Sequence, residues 1–399
     1  MTMFPIYKLG EISTIYNGNS INAEEKERKY RGVDGRDYIG TKDIDFDCSV
    51  NYNNGVKIPC DEMKFKIAPA GSVLVCAEGG SAGKKSAYIT KDVCFGNKLF
   101  AITNNQNLFE GKYVFYYTRY KQFFDLFKNE LSGLIGGVSS KKFGEIPIPL
   151  PPLPTQHAIV SRIESLFAEL DKAEERLRTA QQQLKIYRQA VLNYWLNNES
   201  EKCRKMKLKD ICISISDGDH LPPKRTTKGI PFITISDIKG NSVDFSNVNY
   251  MTEEYYDNLA PSRKAQKGDI LYTVTGSFGI PVLVDNNMKF CFQRHIGILR
   301  PDSNLVSQKW LYYMMQSPII YSQANEKATG TAQKTVTLTV LRDFNLSLPA
   351  LHEQQRIVKE IESRLSQTEA TEARIAESLQ QTEALRQSIL KKAFSGDLI

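Results

Sequence analysis

The segment LPPLPTQHAIVSRIESLFAELD, beginning at Leu150, and the segment LPALHEQQRIVKEIESRL, beginning at Leu348, are two copies of one pattern. With Leu153 laid over Leu351, Gln156 falls on Gln354, Ile159-Val160 on Ile357-Val358 and Ile163-Glu164-Ser165 on Ile361-Glu362-Ser363, without a gap. The offset, from 153 to 351, is 198 residues, about half of the 399-residue chain. A proline-led helix start placed twice at that distance leaves few architectures open. The chain reads as block, helix, block, helix, with parts at 1–150, 151–198, 199–349 and 350–399.

The prolines Pro151, Pro152 and Pro154 argue against helix before Thr155, a fair N-cap, and the pattern runs on to about Asn197. Its apolar positions are Ile159, Ile163, Leu166, Leu170, Ala173, Leu177, Ala180, Leu184, Tyr187, Val191 and Tyr194. Steps of four and three alternate, which is the heptad seam of a coiled coil. At 1.5 Å per residue such a rod is roughly 60 Å long. The second helix, from about Glu353 to Phe394, stops at Ser395-Gly396, a glycine suited to a left-handed end. Its equivalent positions are Ile357, Ile361, Arg364, Thr368, Thr371, Ile375, Ser378, Thr382, Leu385, Ile389 and Lys392, with Leu365 and Leu379 one step out of register. Each helix is the expected partner of the other, antiparallel, since a block of about 150 residues lies between them. The alternative is that each helix packs on its own block.

The blocks echo one another too. Tyr7-Lys8-Leu9 resembles Met206-Lys207-Leu208, and the run Tyr38–Ile44 resembles Phe232–Ile238. Gly71-Ser72-Val73-Leu74 matches Gly268-Asp269-Ile270-Leu271, Gly80-Ser81-Ala82-Gly83 matches Gly276-Ser277-Phe278-Gly279, and Cys94-Phe95 matches Cys291-Phe292. Short runs such as SVLVCA, KLFAIT, DILYTV and HIGILR read as strands between glycine and asparagine turns. One aromatic helix follows in each block, GKYVFYYTRYKQFFDLFKN and QKWLYYMMQSPIIYSQANEKA. The stripe Tyr113, Tyr117, Tyr120, Phe124, Phe127 has helical spacing and reads as core. The fold expected is α+β: two similar domains separated by two long helices in an antiparallel coiled coil, with a pseudo-twofold internal repeat.

Charge points to a polyanion. Residues 1–150 carry 20 basic and 17 acidic side chains, and residues 198–350 carry 19 and 15, so the excess behind the net charge of +7 sits in two separate blocks. The seven cysteines are scattered without C-x-x-C spacing, and four histidines give them little company, which speaks against zinc or a disulfide framework. No signal-like start or bilayer-length apolar run is present, so a cytoplasmic protein is expected.

No catalytic motif survives inspection. In EGGSAGKKS a P-loop needs glycine where Glu78 stands and Ser or Thr where Lys85 stands, and the matching TGSFGIP lacks lysine. Glu24-Glu25-Lys26 lies in a solvated charged run, and His157 and His352 stand at helix starts. No nucleophile elbow, zinc-protease motif or dinucleotide fingerprint occurs. The expected product is binding and geometry.

The two proline-led Gln-x-x-Ile-Val starts, the terminal LRQSILKKAFSGDLI, the G-S-x-G turns and the G-T-A-Q-K run at Gly330 resemble the specificity (S) subunit of type I restriction–modification enzymes over essentially the whole chain. The resemblance implies that each block is a target-recognition domain reading one half of a split, asymmetric site in double-stranded DNA. It implies that the helices hold the domains apart, set the unread gap and dock two modification subunits, which bind S-adenosylmethionine and methylate adenine. Restriction subunits, translocating with ATP and Mg, then join. By that resemblance the chain is non-catalytic and holds no cofactor itself.

Base reading needs Arg or Lys for guanine and Asn or Gln for adenine, while phosphate contacts supply salt-sensitive affinity. Glycine-bounded turns and matched places in the two copies give the candidates. In the first block these are Lys84, Lys85, Asn97, Lys98, Ser139, Ser140, Lys141 and Lys142. In the second they are His220, Lys224, Arg225, Thr275, Ser277, Arg294, His295, Thr331, Gln333 and Lys334. The coiled-coil interface is expected at Ile159, Ile163, Leu166, Leu170, Leu177, Leu184, Tyr187 and Val191, and at Ile357, Ile361, Ile375, Leu385 and Ile389. The rival reading is a non-catalytic scaffold with two protein-binding domains held apart by the rod, which DNA retention without a steep salt slope would favour.

Overall fold

The computed structural model describes residues 4–104, 107–131, 136–197, 203–219, 224–331 and 333–399. The chain divides into two compact units, residues 1–177 with 376–399, and residues 178–375. Each unit takes one globular block together with one half of each long helix.

In the first unit four antiparallel strands run in the order Thr14–Asn17, Leu99–Thr103, Val73–Cys76, Ser86–Tyr88. The central strands are buried throughout and almost wholly apolar because both faces are covered, and the period of two decides which side chain goes where. Val73, Val75, Phe100 and Ile102 join the core formed by the aromatic helices, while Leu74, Cys76, Leu99 and Ala101 face a second sheet. That sheet has the order Lys57–Ile58, Arg36–Ile39, Val93–Phe95, Ile67–Ala68 and contains a parallel pair, Tyr38 beside Cys94. Ile6–Lys8 pairs with Pro147–Pro149 and brings the block's two ends together.

The second unit repeats the plan. Cys212–Asp217, Ile296–Pro301, Ile270–Thr273 and Pro281–Leu283 form its antiparallel sheet. Ile270, Tyr272 and Leu299 face Trp310, Leu311 and Met314, whereas Leu271, Ile296 and Ile298 face Ile233 and Phe292. The parallel pair recurs, with Phe232 beside Cys291, and Arg204–Lys207 pairs with Asn345–Leu348. The aromatic segments, expected as one helix each, are two. Gly111–Thr118 is followed by Lys121–Asn129, and Gln308–Gln316 by Pro318–Lys327. In the second copy Pro318 has no N–H to continue the first helix and serves as the start of the next. Tyr113, Tyr117 and Phe127 of the aromatic stripe are buried, and Tyr120 is half-buried against that core.

The long helices span Leu153–Leu196 and Leu351–Ser395, and Gly396 ends the second with φ +96°. The first starts two residues before Thr155, because a proline at Pro154 is harmless in a first turn whose N–H groups have no helical partner anyway. At each start a fully buried glutamine ties helix to block. Gln156 Nε2 donates to Pro151 O (2.8 Å) and Leu108 O (3.2 Å), and its Oε1 accepts from Glu110 N (2.9 Å). Gln354 does the same with Pro349 O (2.9 Å), Leu305 O (3.1 Å) and Ser307 N (2.7 Å). One helical turn or two further on, Glu164 pairs with Lys112 and Glu362 with Lys309, both at 2.6 Å. The Gln-x-x-Ile-Val-x-x-Ile-Glu repeat is thus a repeated attachment: polar clamp, three apolar anchors, surface ion pair.

Within each unit the helix halves pack antiparallel. In the first, Arg386 of the second helix bonds Asp171 (2.5 Å) and Glu174 (3.4 Å) of the first. In the second, Arg188 of the first helix reaches Glu369 of the second (3.7 Å) and Gln316 (3.4 Å). Arg188 and Arg386 differ by the repeat offset, as do Asp171 and Glu369. These arginines correct the expected seam. Tyr187 is 43% exposed and Leu385 51% exposed, and the next residue, arginine in both cases, turns inward instead. Leu184 and Val191 fit either a three-then-four or a four-then-three step. The acid across the interface selects the step that buries the arginine stem and pairs its head. The same shift brings in Leu365 and Glu372 and leaves Arg364, Thr371 and Lys392 outside. Near the helix ends both expectations for packing hold together. Ile159, Ile163, Leu390 and Phe394 belong to the first block's core, and Val191, Leu192, Ile357 and Ile361 to the second's.

Magnitudes separate the clamp from the ion pairs. An exposed pair such as Lys112–Glu164 is worth about 0–1 kcal/mol. Each buried backbone group left without a partner costs roughly 1–3 kcal/mol. Gln156→Leu or Gln354→Leu is therefore expected to lower stability by about 2–4 kcal/mol in denaturant titration, and Glu164→Gln by under about 1 kcal/mol. A Gln156→Leu loss within the about 0.5 kcal/mol typical of surface changes would contradict the clamp.

Candidate nucleic-acid interface

Three loops meet at one end of the first unit's antiparallel sheet. The turn after Val73–Cys76 bends at Gly79 (φ +84°) and Gly83 (φ +68°), and Gly83 N donates to Cys76 O (2.8 Å). A Cβ on Gly83 would stand 2.5 Å from the Phe127 ring, so glycine is needed there for space as well as for φ. The segment Gly136–Val138 lies along this turn, with Gly79 N donating to Gly136 O (3.0 Å) and Val138 N to Ala77 O (3.2 Å). The loop before Leu99–Thr103 joins from the other side through Ala77 N to Lys98 O (2.9 Å).

The second unit builds the same junction from different residues. Gly276 (φ +69°) donates its N–H to Lys334 O (2.9 Å), Val336 N to Val274 O (2.8 Å) and Val274 N to His295 O (2.9 Å). Gly279 (φ +92°) closes the turn with its N–H on Thr273 O (2.9 Å). These equivalences place Gly79, and not Gly80, opposite Gly276. The first turn is one residue longer, from Cys76 to Gly83 against Thr273 to Gly279, which shifts the match expected from the letters. A fourth loop adjoins both junctions. A Cβ on Gly18 would meet Phe95 O at 1.9 Å and one on Gly218 would meet Phe292 O at 2.0 Å, so both positions are closed to side chains.

The candidates separate by what their side chains already do. In the first unit Lys98 pairs with Glu78 (3.2 Å), Lys142 with Glu130 (3.6 Å), and the Ser139 hydroxyl accepts from Lys142 N (3.3 Å) as an N-cap. Lys85 turns away, 4.7 Å over the Phe46 ring, while Lys84 Nζ rests on Gly80 O (3.2 Å). Asn97, Ser140 and Lys141 are exposed, and the Asn97 carbonyl is held by Asn17 Nδ2 (2.9 Å). In the second unit Thr275 is buried and faces Thr335, Oγ1 to Oγ1 at 3.4 Å, so its side chain joins two loops. Ser277, Arg294, Thr331, Gln333 and Lys334 are exposed around that junction, and Lys334 Nζ touches Asn325 (3.4 Å). Lys224 and Arg225 are exposed beside a different strand, through the Thr226–Tyr250 bridge. His220 lies outside the described residues.

Sequence reading missed the group on the fourth loop. Tyr255 donates its hydroxyl to Asp219, and Arg263 stands 3.6 Å from Asp217 and 3.7 Å from Asp219. Burial and this bond raise the Tyr255 hydroxyl above the usual tyrosine range, so it stays a donor. No short motif marks the group, because Asp219, Tyr255 and Arg263 are joined only by the fold. His295 is half-buried, and burial with the neighbouring Arg294 charge lowers its pKa, which favours the neutral ring at neutral pH. Its Nε2 accepts from Arg294 Nε (3.3 Å).

The junctions therefore offer exposed donors and acceptors on loops pinned by backbone bonds. Among the described residues no group of three or more His, Cys, Asp or Glu side chains is placed to hold a metal ion. Nor, among them, is any helix long and apolar enough to cross a membrane.

Known proteins share this plan. A solved structure from a study of complex assembly and conformational transition of the type I restriction–modification system superposes with TM-score 0.75 at 20% identity, covering 99% of this chain and 98% of that one. The HsdS subunit of Thermoanaerobacter tengcongensis superposes with TM-score 0.52 at 21% identity over 99% and 97% of the two chains. In sequence, the EcoBI specificity subunit of Escherichia coli is 26% identical over 68% of this chain, which spans 62% of that relative's length. The EcoKI specificity subunit of Escherichia coli strain K12 is 26% identical over 84% of this chain and 76% of its own. The type I restriction modification DNA specificity domain matches residues 3–179 and again residues 200–381, and the chain belongs to that family, with two such domains in tandem.

Proposed function

We propose that the chain is the DNA sequence-specificity subunit of a type I restriction–modification assembly, each domain reading one half of a two-part site. The observation that carries this reading is the pair of loop junctions: one framework, built twice, with different exposed side chains at matched places. Asn97 and Lys98 stand where Arg294 and His295 stand in the second copy. Two equal frameworks with unequal readers address an asymmetric site, since direct readout depends on the side chains and not on the scaffold. Each long helix enters in one unit and ends in the other, so the helix pair is the spacer that sets the unread gap, as dimer spacing does for palindromic sites.

The exposed apolar residues Ile186, Tyr187 and Tyr194 on the first long helix, with Leu385 on the second, suit docking of the modification subunits. In this reading S-adenosylmethionine, ATP and Mg are bound by the partner subunits, the restriction subunits join the same assembly in the cytoplasm, and the chain itself is non-catalytic. The basic excess of both blocks supplies the phosphate contacts.

Three measurements test the reading. Retention of the assembled subunit on DNA is expected to fall steeply and linearly in log–log form with salt, whereas a protein-binding scaffold would give a flat line. Removal of residues 177–183 together with 375–381 shortens the helices by about 10 Å, or roughly three base pairs. Methylome sequencing should then show both half-sites kept and the gap reduced; an unchanged gap would refute the spacer. Exchange of residues 1–150 for another family member's first domain is expected to change one half-site only, and a change in both would refute independent reading.

A further inference from the structure

Resting on the function proposed above, we propose that Arg294, oriented by His295, reads a guanine in the half-site taken by the second domain. The short loop between Cys291–Phe292 and Ile296–Pro301 is fixed at every residue. Gln293 N donates to Ile233 O (3.1 Å), Arg294 N to Asp219 O (3.1 Å) and Ile296 N to Gln293 O (3.0 Å), while His295 O accepts from Val274 N (2.9 Å). The root of the Arg294 side chain is thereby set by three different strands or loops before any ligand arrives.

The head is set as well. Arg294 Nε donates to His295 Nε2 at 3.3 Å, a bond that needs a neutral imidazole nitrogen. The half-buried position of His295 and the adjacent guanidinium both disfavour its protonation. With Nε engaged, the two terminal nitrogens project as a fork. The carboxylates of the neighbouring loop do not compete for it, because Asp217 and Asp219 are taken by Arg263 and Tyr255. A fork of two donors matches two acceptors on one base edge. Guanine offers N7 and O6 in the major groove, whereas adenine offers one acceptor and one donor. The first domain has no such device: Asn97 and Lys98 occupy the matched places, and Lys98 is paired with Glu78. A guanidinium at this loop therefore belongs to the second domain alone.

The test is methylome sequencing of cells carrying the full chain with its modification partner, as wild type and as R294A, R294K, H295A and H295Q. The domain exchange identifies which half-site belongs to residues 199–349. That half is expected to contain a G·C pair whose identity relaxes in R294A, with discrimination falling roughly 10- to 100-fold, while the other half-site and the gap stay as they are. As a positioning residue, His295 is expected to affect selectivity at that same pair in H295A and to be largely rescued in H295Q, whose amide oxygen again accepts from Arg294 Nε. An unchanged motif in R294A overturns the assignment and leaves the subunit function standing. Loss of methylation at every site in R294A, fully restored by R294K, places the charge on a phosphate and also overturns it. A wild-type chain that supports no two-part motif takes down both the function and this inference.

Discussion

The rest of the structure depends on one buried side-chain amide used twice. Gln156 and Gln354 carry three hydrogen bonds each, two given and one accepted, and every partner is a main-chain group at a place where regular structure stops. A proline-led helix start leaves main-chain groups without helical partners, and so does the loop before the aromatic helix. Only a side chain with both donor and acceptor satisfies the two sides at once; a carboxylate lacks the donors and an ammonium the acceptor. The result is that the first turns of a helix of 44 or 45 residues are tied to the globular block by hydrogen bonds as well as by chain connectivity.

The helix pair adds a second polar element to a mostly apolar contact. Arg386 with Asp171 and Glu174, and Arg188 with Glu369, sit at places related by the 198-residue repeat. Partly exposed pairs contribute little to stability. Their effect is on phase: an arginine turned inward beside a threonine-rich stretch defines one register where apolar residues alone admit two. That choice also turns Tyr187 and Leu385 outward, so the register of the internal contact fixes which apolar side chains the helices expose.

Much of this was legible in the letters, and the failures share a cause. The repeated helix starts, the strand runs and the glycine turns are local patterns, and local patterns survive in sequence. The seam phase was misread because both phases share Leu184, Val191, Thr382 and Ile389, and the deciding contacts lie on the opposite helix. The turn register was misread because one extra residue between Cys76 and Gly83 has no mark of its own; only φ at Gly79 reveals which glycine takes the bend. The clamp was visible as a repeated glutamine yet not as a clamp, since two of its three partners in each copy lie more than 40 residues away in the chain. The burial of Thr275 among the candidates was hidden for the same reason: its partner Thr335 comes from another loop. The Tyr255–Asp219–Arg263 group had no sequence signal at all.

The division between what repeats and what differs has a physical logic. Positions that close the framework accept almost no variation, whether they are glycines whose added Cβ would strike a carbonyl, as at Gly18 and Gly218, or amides that complete a buried main-chain network. The positions between them, Asn97 and Lys98 or Arg294 and His295, have their main chains fixed by backbone partners, and their side chains add only the Lys98–Glu78 pair and the Arg294–His295 bond. A framework secured mainly by main-chain bonds lets its exposed loop side chains differ at little cost in stability, within the about 0.5 kcal/mol typical of surface changes. Two copies of such a framework in one chain can carry different exposed side chains while the attachment of each to its helix start stays the same.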